Sequence, residues 1–357
     1  MRIRVDTTRP LAEQPGSGHN RWHPGLEPIA AVRPGEEITL ETRDGLDGAL
    51  GPESTAEDVL RVDLGVPHPL TGPVFVEGAE PGDVLEVELL GFESAAFGVT
   101  CVVPGFGFLA DVFTEPFLVS WSIAGGHARS DDLPGVAIPE ALFPGVIGVA
   151  PSPELMERMH RREAELRDRG GAVADPAPEA AAPPDASSGL RTIPPRETGG
   201  NLDIPQLVAG SRLFLPVHVP GALCSIGDLH YAQGEGETCG VALEVAGAVM
   251  VRFGLRKAGG WRLSCPAYET PARPARRAFA TTGLPLAPDG TNRSLDLTLA
   301  TRNAALEMIA YLGHAHGLSP EQAYVLVSVA VDLRLSEVVD IPNPLVSALL
   351  PLDIFEG

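Results

Sequence analysis

The segment Gly227–Glu237 (GDLHYAQGEGE) contains two pairs of side chains that can bind a metal ion or move a proton. The first pair is Asp228 and His230. Because alternate residues of an extended chain point to the same side, these two side chains can converge on one point. A carboxylate and an imidazole together suit zinc or a related divalent cation. The spacing therefore makes this segment a candidate metal site.

The second pair, Glu235 and Glu237, is separated by Gly236, which lets the backbone bend tightly. A third pair with the same spacing, Asn201 and Asp203, follows a double glycine. Asn and Asp side chains also stabilise ordinary loops by hydrogen bonding to nearby backbone groups. The spacing alone therefore leaves two interpretations open, a metal site and a structural loop.

Other polar residues have simpler structural interpretations. Asp44 follows a predicted strand, and Asp47 precedes Gly48 in a dipeptide that is common in turns. His68 lies between two prolines, as is typical of a turn, whereas His218 lies in an apolar run, as is typical of a core or edge strand. The sequence has no GxSxG motif, no Walker A phosphate-binding loop and no GxGxxG motif before a helix.

The chain is acidic, with 47 Asp and Glu against 26 Lys and Arg and a formal net charge of −21. Nucleic-acid binding needs a basic face, so we expect no nucleic-acid partner, and an anionic membrane surface is disfavoured for the same reason. No apolar run of about 18 residues predicts a membrane span, and the N-terminal segment lacks the apolar core of a signal peptide. The four cysteines have no CxxC spacing, which predicts reduced thiols and a cytoplasmic protein.

The 40 glycines and 35 prolines lie between short apolar runs, a pattern that predicts many short strands joined by turns. In Val84–Leu90 apolar and acidic residues alternate, so one face of this predicted strand is apolar. Further strands are predicted at Glu36–Thr42, Ser211–Val219 and Val241–Val245.

Three helices are predicted. The first covers residues 153–166, and the second, Arg302–Gly317, has one apolar face and stops at glycine. The third starts at Ser319 with a capping box and is expected to reach about Leu333. We therefore divide the chain into a β-rich part (1–166), an Ala/Pro-rich loop or linker (167–190), a β-rich catalytic part (191–295) and a C-terminal helical and strand part that packs on the body (296–357).

The sequence resembles the acetamidase/formamidase family over most of its length. The likeness lies in a series of segments in a fixed order, which chance does not explain. These segments are Thr42–Asp44, His68–Pro73, Glu77–Val87, Phe143–Pro151, Ile193–Arg196, Gly199–Asp203 and Gly227–Glu237.

The resemblance implies a mainly β fold with sandwich and barrel-like parts, a smaller α+β portion and C-terminal helices. It implies hydrolysis of short linear amides to carboxylate and ammonia, with a divalent metal, usually zinc, and a homo-oligomeric assembly. The residues that match the family's metal ligands are Asp44, Asp203, Asp228 and His230. The residues that match its polar catalytic positions are Asn201, Glu235 and Glu237.

Amide hydrolysis requires a polarised carbonyl, an activated water and a proton for the leaving nitrogen. A metal serves the first two needs, so we expect Glu237, or Glu235, to carry the proton and Asn201 to hold the substrate or orient a ligand. A serine mechanism at Ser225, beside Asp228 and His230, is the alternative chemistry.

Two positions depart from the family pattern. Thr198 stands where the family usually has His, and Glu235 stands where it usually has Asp. These changes leave open a member with a different substrate, or a non-catalytic protein that binds a metal or a small ligand on the same scaffold. The Phe-rich stretch Gly105–Phe117 is either core or the wall of a larger pocket.

Overall fold

A computed structural model describes residues 1–259, 262–272 and 276–356. Over these residues the chain is mainly β, as predicted. The helices are α1 (Ala56–Val59), α2 (Pro153–Asp168), α3 (Leu297–His316) and α4 (Pro320–Ala330). The strands are β1 (Arg2–Ile3), β2 (Gly18–His19), β3 (Arg21–Trp22), β4 (Ala30–Val32), β5 (Glu37–Thr42), β6 (Leu70–Val76), β7 (Val84–Val102), β8 (Phe117–Ala124), β9 (His127–Arg129), β10 (Ile138–Pro139), β11 (Phe143–Val149), β12 (Leu190–Arg191), β13 (Gly199–Asn201), β14 (Arg212–Pro216), β15 (Cys224–Ala232), β16 (Leu243–Arg256), β17 (Ala267–Glu269), β18 (Ala278–Gly283), β19 (Asp332–Glu337) and β20 (Leu345–Pro351).

Two long antiparallel strands, β7 and β16, form the backbone of the large sheet. They pair from Glu244, opposite Val99, to Arg256, opposite Val84, with two register shifts that bend the ladder. The alternation predicted for the start of β7 is confirmed, since Leu85, Val87 and Leu89 are buried and the intervening glutamates are not. The sheet order along its main path is β10-β9-β8-β7-β16-β15-β11-β13.

Strand β15 lies at the centre of this sheet and is buried at every position. It pairs with β11 along most of its length, with β6 near its start and with β16 near its end. A strand held by three neighbours has little freedom to shift, so side chains on β15 are placed accurately. This strand contains the Asp228/His230 pair.

The C-terminal part packs on the sheet through α4. The predicted capping box is present, with Ser319 and Gln322 exchanging hydrogen bonds and Pro320 at the first helical position. The helix ends at Ala330, earlier than predicted, because Val331 is extended and the chain enters β19, which pairs with β20. In the middle of α4, the Tyr324 hydroxyl accepts a hydrogen bond from Leu109 N and donates one to the carbonyl of Thr238.

The Ala/Pro-rich segment begins within the last turn of α2 and continues as irregular chain with two short 3-10 helices. Its carbonyl groups accept hydrogen bonds from the buried Arg21 and from Arg191 and Asn20. Strands on both sides of the segment pair within the same sheet, so it connects parts of one body. No helix of the described residues is long and apolar enough to span a membrane.

Candidate active site

Asp228 and His230 do converge, as their spacing predicts. The distance from His230 Nε2 to Asp228 Oδ2 is 3.2 Å, and both side chains are buried. Asp228 has φ 56°, a left-handed conformation that is uncommon outside glycine. Such strain persists only where the surrounding structure imposes it, and it is concentrated at functional sites.

Glu244 joins this pair from the neighbouring strand. It lies directly opposite His230 in the antiparallel pairing of β15 and β16, with Oε1 3.3 Å from His230 Nε2. The Ala242 amide donates to the same oxygen. Glu244 was not predicted from the sequence. The available signal was a glutamate within the apolar strand Val241–Val245, because charged residues are rarely buried without a partner.

Asp203 and Glu237 complete the cluster from two loops. Asp203 Oδ1 lies 3.9 Å from His230 Nδ1, and one ligand atom from each of Asp203, His230 and Glu237 falls within 4.8 Å of the others. The same limit holds for Asp228, His230 and Glu244. Asp203 and Glu237 have φ values of 47° and 41°. One imidazole is thus shared by two groups of carboxylates.

Gln233 fixes the proton position on His230. Its side-chain nitrogen donates to the Asp203 carbonyl at 3.1 Å, so its oxygen is the atom that faces His230 Nδ1 at 2.8 Å. An amide oxygen only accepts, and Nδ1 is therefore the protonated nitrogen. In the neutral ring this leaves the lone pair on Nε2, which faces Asp228 and Glu244. A histidine held in this way is oriented as metal-binding histidines usually are.

Two glycines leave room for the crowded side chains. A Cβ on Gly145 would lie 2.6 Å from His230 Cε1, 2.7 Å from Asp228 Oδ2 and 2.8 Å from Asp203 Oδ1. A Cβ on Gly45 would lie 2.0 Å from Asp228 Oδ1 and 2.8 Å from Glu244 Oε2. Any larger residue at either position would displace the cluster.

Burial is the main influence on the carboxylate pKa values of the cluster, and repulsion between the carboxylates adds to it. Burial, reinforced by the Asp228 charge, raises the pKa of Asp203 to about 7 and that of Glu244 well above its ordinary value. Burial and the Asp203 charge do the same to the pKa of Glu237. Burial alone would lower the pKa of His230, but Glu244 and Asp228 raise it well above its usual range. The cluster therefore favours bound positive charge, either protons or a cation.

A cavity of about 110 Å³ opens onto the cluster. Its polar end is formed by His68, Asn201, Asp228, Glu237 and Glu244. His68, interpreted from sequence as part of a turn, is in fact partly buried and has Nε2 3.9 Å from Asp228 Oδ2. Its backbone amide donates to the Thr192 hydroxyl, which fixes the loop at the cavity wall.

Two of the predicted carboxylate residues, Asp44 and Glu235, lie outside both groups. Asp44 Oδ1 accepts hydrogen bonds from the amides of Leu46 and Gly48, so this side chain stabilises its own turn. Glu235 accepts a hydrogen bond from Gln206 and another from Arg334, and these three residues line a different cavity.

A turn at Gly234–Glu237 separates the side chain of Glu235 from that of Glu237. The amide of Glu237 donates to the Gly234 carbonyl, and Gly236 has φ 109°. The chain here is therefore not extended, and residues two apart do not share a side.

Ser225 has a possible base that sequence analysis could not identify. His19 Nε2 lies 2.7 Å from Ser225 Oγ, and both residues are fully buried. Burial lowers the pKa of His19 to about 4. Neither residue lines the cavity at the carboxylate cluster, so this pair is a buried hydrogen bond without access to substrate there.

Thr198, the position of the expected family histidine, is also buried. Its carbonyl accepts a hydrogen bond from the Val149 amide, and it belongs to neither group of possible ligands in the described part of the chain.

The fold and the site define a mainly β protein in which a cavity ends at a buried carboxylate–imidazole cluster, a donor set typical of divalent-metal sites. The profile of the Acetamidase/Formamidase family matches residues 4–357. The chain belongs to this family. It is accordingly a hydrolase that acts on the C–N bonds of short amides.

Related sequences agree over nearly the whole length. The chain is 37% identical to a formamidase of Methylophilus methylotrophus, over 99% of this chain and 93% of the relative. It is 35% identical to an acetamidase of Mycolicibacterium smegmatis, over 90% and 88%.

Solved structures show similarity in the fold. The gamma lactamase from Delftia acidovorans superposes with a TM-score of 0.95 at 36% identity, covering 100% of this chain and 94% of that one. An acetamidase from Bacillus halodurans gives a TM-score of 0.58 at 28% identity, covering 94% and 96%.

The close contacts around Gly145 leave no room for a larger side chain. In Gly145→Ala the new methyl group displaces His230, Asp228 or Asp203, and we expect ammonia release from acetamide to fall about 100-fold or more, the typical cost of a displacement near 1 Å. Gly51→Ala is the matched control, because a Cβ there meets nothing within 4 Å. Equal activity of the two variants would contradict the geometry described for the cluster.

Proposed function

We propose that this protein hydrolyses short linear amides with a divalent metal ion, zinc being the first candidate, held by Asp228, His230, Glu244 and Asp203. The observation that carries the proposal is a set of buried atoms that could bind a metal and that have no hydrogen-bond partner. Among the described residues, His230 Nε2, Glu244 Oε2 and Asp203 Oδ1 are buried and make no hydrogen bond of acceptable geometry. Buried polar atoms are almost always satisfied, so such a convergence suggests an absent partner.

The donor set fits a divalent cation. Imidazole nitrogen and carboxylate oxygen are zinc ligands, and Gln233 supplies the outer contact that orients the histidine. The raised pKa values of Asp203 and Glu244 describe sites where protons compete with a cation. Bound zinc would polarise the amide carbonyl and increase the acidity of water.

Glu237 is the residue best placed to move the proton. It lines the cavity and belongs to the Asp203–His230 group, and its pKa is raised by burial and by Asp203. A carboxylate with a raised pKa can accept a proton from water and return it to the departing nitrogen, which otherwise leaves as a poor amide anion. Glu235, with its carboxylate bound to Gln206 and Arg334, does not share this role.

Asn201 is the candidate for substrate positioning. It lines the cavity, and its side-chain oxygen is buried without a hydrogen-bond partner among the described residues. That oxygen can accept a hydrogen bond from the amino group of a primary amide. The side chain also stabilises the Asp203 carboxylate. Asn201 therefore links the substrate nitrogen to the ligand cluster.

A second candidate function is the opening of a cyclic amide. Two observations favour it: the TM-score of 0.95 with the gamma lactamase from Delftia acidovorans, and the apolar walls of the cavity. A γ-lactam yields an amino acid and no ammonia, so the product distinguishes the two reactions.

We also place the protein in the cytoplasm and infer self-association. The cysteines that the structure describes are free, three of them buried, as suits a reducing compartment. Exposed apolar residues occur close together at Leu335, Val338, Val339 and Ile341, and such clusters commonly mark protein contacts.

The two glutamates of one loop give a matched test of the proton-transfer role. We expect Glu237→Gln to retain zinc and to lose about 10²–10⁴-fold in kcat for acetamide. Glu235→Gln should stay close to the parent, because its side chain lies outside the cluster. Elemental analysis and ammonia release measure the two properties. A fully active Glu237→Gln, or equal losses in both variants, would overturn this assignment.

Gln233 gives a test of the metal proposal. Gln233→Leu removes the acceptor that holds His230 Nδ1–H, and we expect zinc affinity to fall about 10–100-fold. Gln206→Leu is the control, since Gln206 contacts Glu235 instead. Competition with a chromogenic chelator measures both affinities. Unchanged affinity in Gln233→Leu would show that His230 is not oriented through Gln233 for metal binding.

A further inference from the structure

The cavity has far more apolar wall than formamide or acetamide could cover. The side chains beyond the polar end are Leu46, Leu64, Pro67, Val103, Phe106, Ile193 and Val241. Formamide has no acyl carbon chain to cover these groups, and acetamide has one methyl group. An apolar wall that no substrate group covers contributes nothing to binding.

The exposure of the apolar lining residues increases from the polar end of the cavity to its mouth. Leu46, Val103 and Val241 are buried, whereas Leu64 is 41% exposed and Phe106 is 39% exposed. A substrate that enters past Leu64 and Phe106 therefore reaches the carboxylate cluster with its amide end and leaves its acyl end among aliphatic side chains.

The position of Phe106 is set by the loop that carries Glu237. A Cβ on Gly240 would lie 2.4 Å from Phe106 Cε1, so the ring rests on a site that only glycine leaves open. The amide of Phe108 donates to the Thr238 carbonyl at 2.8 Å, which ties the two loops together. Phe106 is thus a fixed part of the wall beside the residue proposed to move the proton.

The size of the cavity sets an upper limit on the acyl group. About 110 Å³ is roughly seven to eleven times the 10–15 Å³ that one water occupies on this measure. With one of these places taken by the attacking water, roughly six to ten remain. Unbranched amides with four or five acyl carbons have six or seven heavy atoms and fit within that range. Shorter amides leave space, and much longer ones would extend past Leu64 and Phe106 into solvent.

From these observations we propose that the site selects primary amides with an apolar acyl chain of about four or five carbons, such as butyramide and valeramide, and that Leu64 and Phe106 determine this preference. The inference rests on the proposed amide hydrolysis and names the substrate class for it. Each additional methylene covered by the wall should raise kcat/KM about fourfold, the rate equivalent of burying one CH₂. The apolar wall contacts the acyl chain equally in the bound substrate and in the transition state. Most of the gain in kcat/KM should therefore appear as a lower KM.

The test is ammonia release by the metal-loaded enzyme from formamide, acetamide, propionamide, butyramide, valeramide and heptanamide. We expect kcat/KM to rise through valeramide and to level off at heptanamide. A series that is flat or falls beyond acetamide would overturn the proposal.

Two leucines provide a matched pair of variants. Leu64→Ala should lower the valeramide-to-acetamide ratio of kcat/KM several-fold, and Phe106→Ala should do the same. Leu60→Ala should keep the parental ratio, because Leu60 is 62% exposed and does not line the cavity. An unchanged ratio in both Leu64→Ala and Phe106→Ala would contradict their role.

Binding separates failure of this inference from failure of the proposed reaction. Calorimetric titration of Glu237→Gln with acetamide and valeramide measures affinity without turnover. Absence of ammonia release from every amide would refute the reaction, while tighter binding of valeramide would still support the apolar acyl site. Equal affinities would overturn the acyl site whether or not the enzyme is active.

Discussion

The rest of the structure depends on the convergence of four carboxylates, two of them buried and two partly buried, on one imidazole. Asp203, Asp228, Glu237 and Glu244 all approach His230, and of these Asp228 and Glu244 are buried while Asp203 and Glu237 are partly buried. Removing an ionised carboxylate from water costs several kcal/mol, and a single histidine compensates only part of that charge. The raised pKa values of three of these carboxylates express this cost. A cation held there would offset this charge, and the proposed metal site would in this way link the fold to its chemistry.

The scaffold maintains the cluster against considerable local strain. Asp203, Asp228 and Glu237 all have left-handed backbone conformations, each unfavourable by roughly 1–3 kcal/mol. Strand β15 resists relaxation because it is paired on both sides, and Gln233 joins His230 to the Asp203 carbonyl. The loop after Glu237 is held by Tyr324 from helix α4, which gives the C-terminal helices a role in positioning the site.

Sequence reasoning succeeded where a local rule decides the outcome. Alternation of side chains along a strand is such a rule, and it brought Asp228 and His230 together. The capping box at Ser319 is another. Prediction from sequence failed where backbone conformation or strand register decides the outcome. A turn separates Glu235 from Glu237, and only the pairing of β15 with β16 places Glu244 opposite His230. His68 was missed because its distance from Asp228 depends on loops remote in sequence.

The proposed function requires that a divalent cation occupies the carboxylate–imidazole cluster and is needed for amide hydrolysis. The most direct measurement is a crystal structure of the zinc-loaded, active enzyme with anomalous diffraction data collected on both sides of the zinc absorption edge. We expect one strong anomalous peak in contact with His230 Nε2 and the carboxylates of Asp228, Glu244 and Asp203. A fully active protein without metal, or a peak bound elsewhere with this cluster empty, would contradict it.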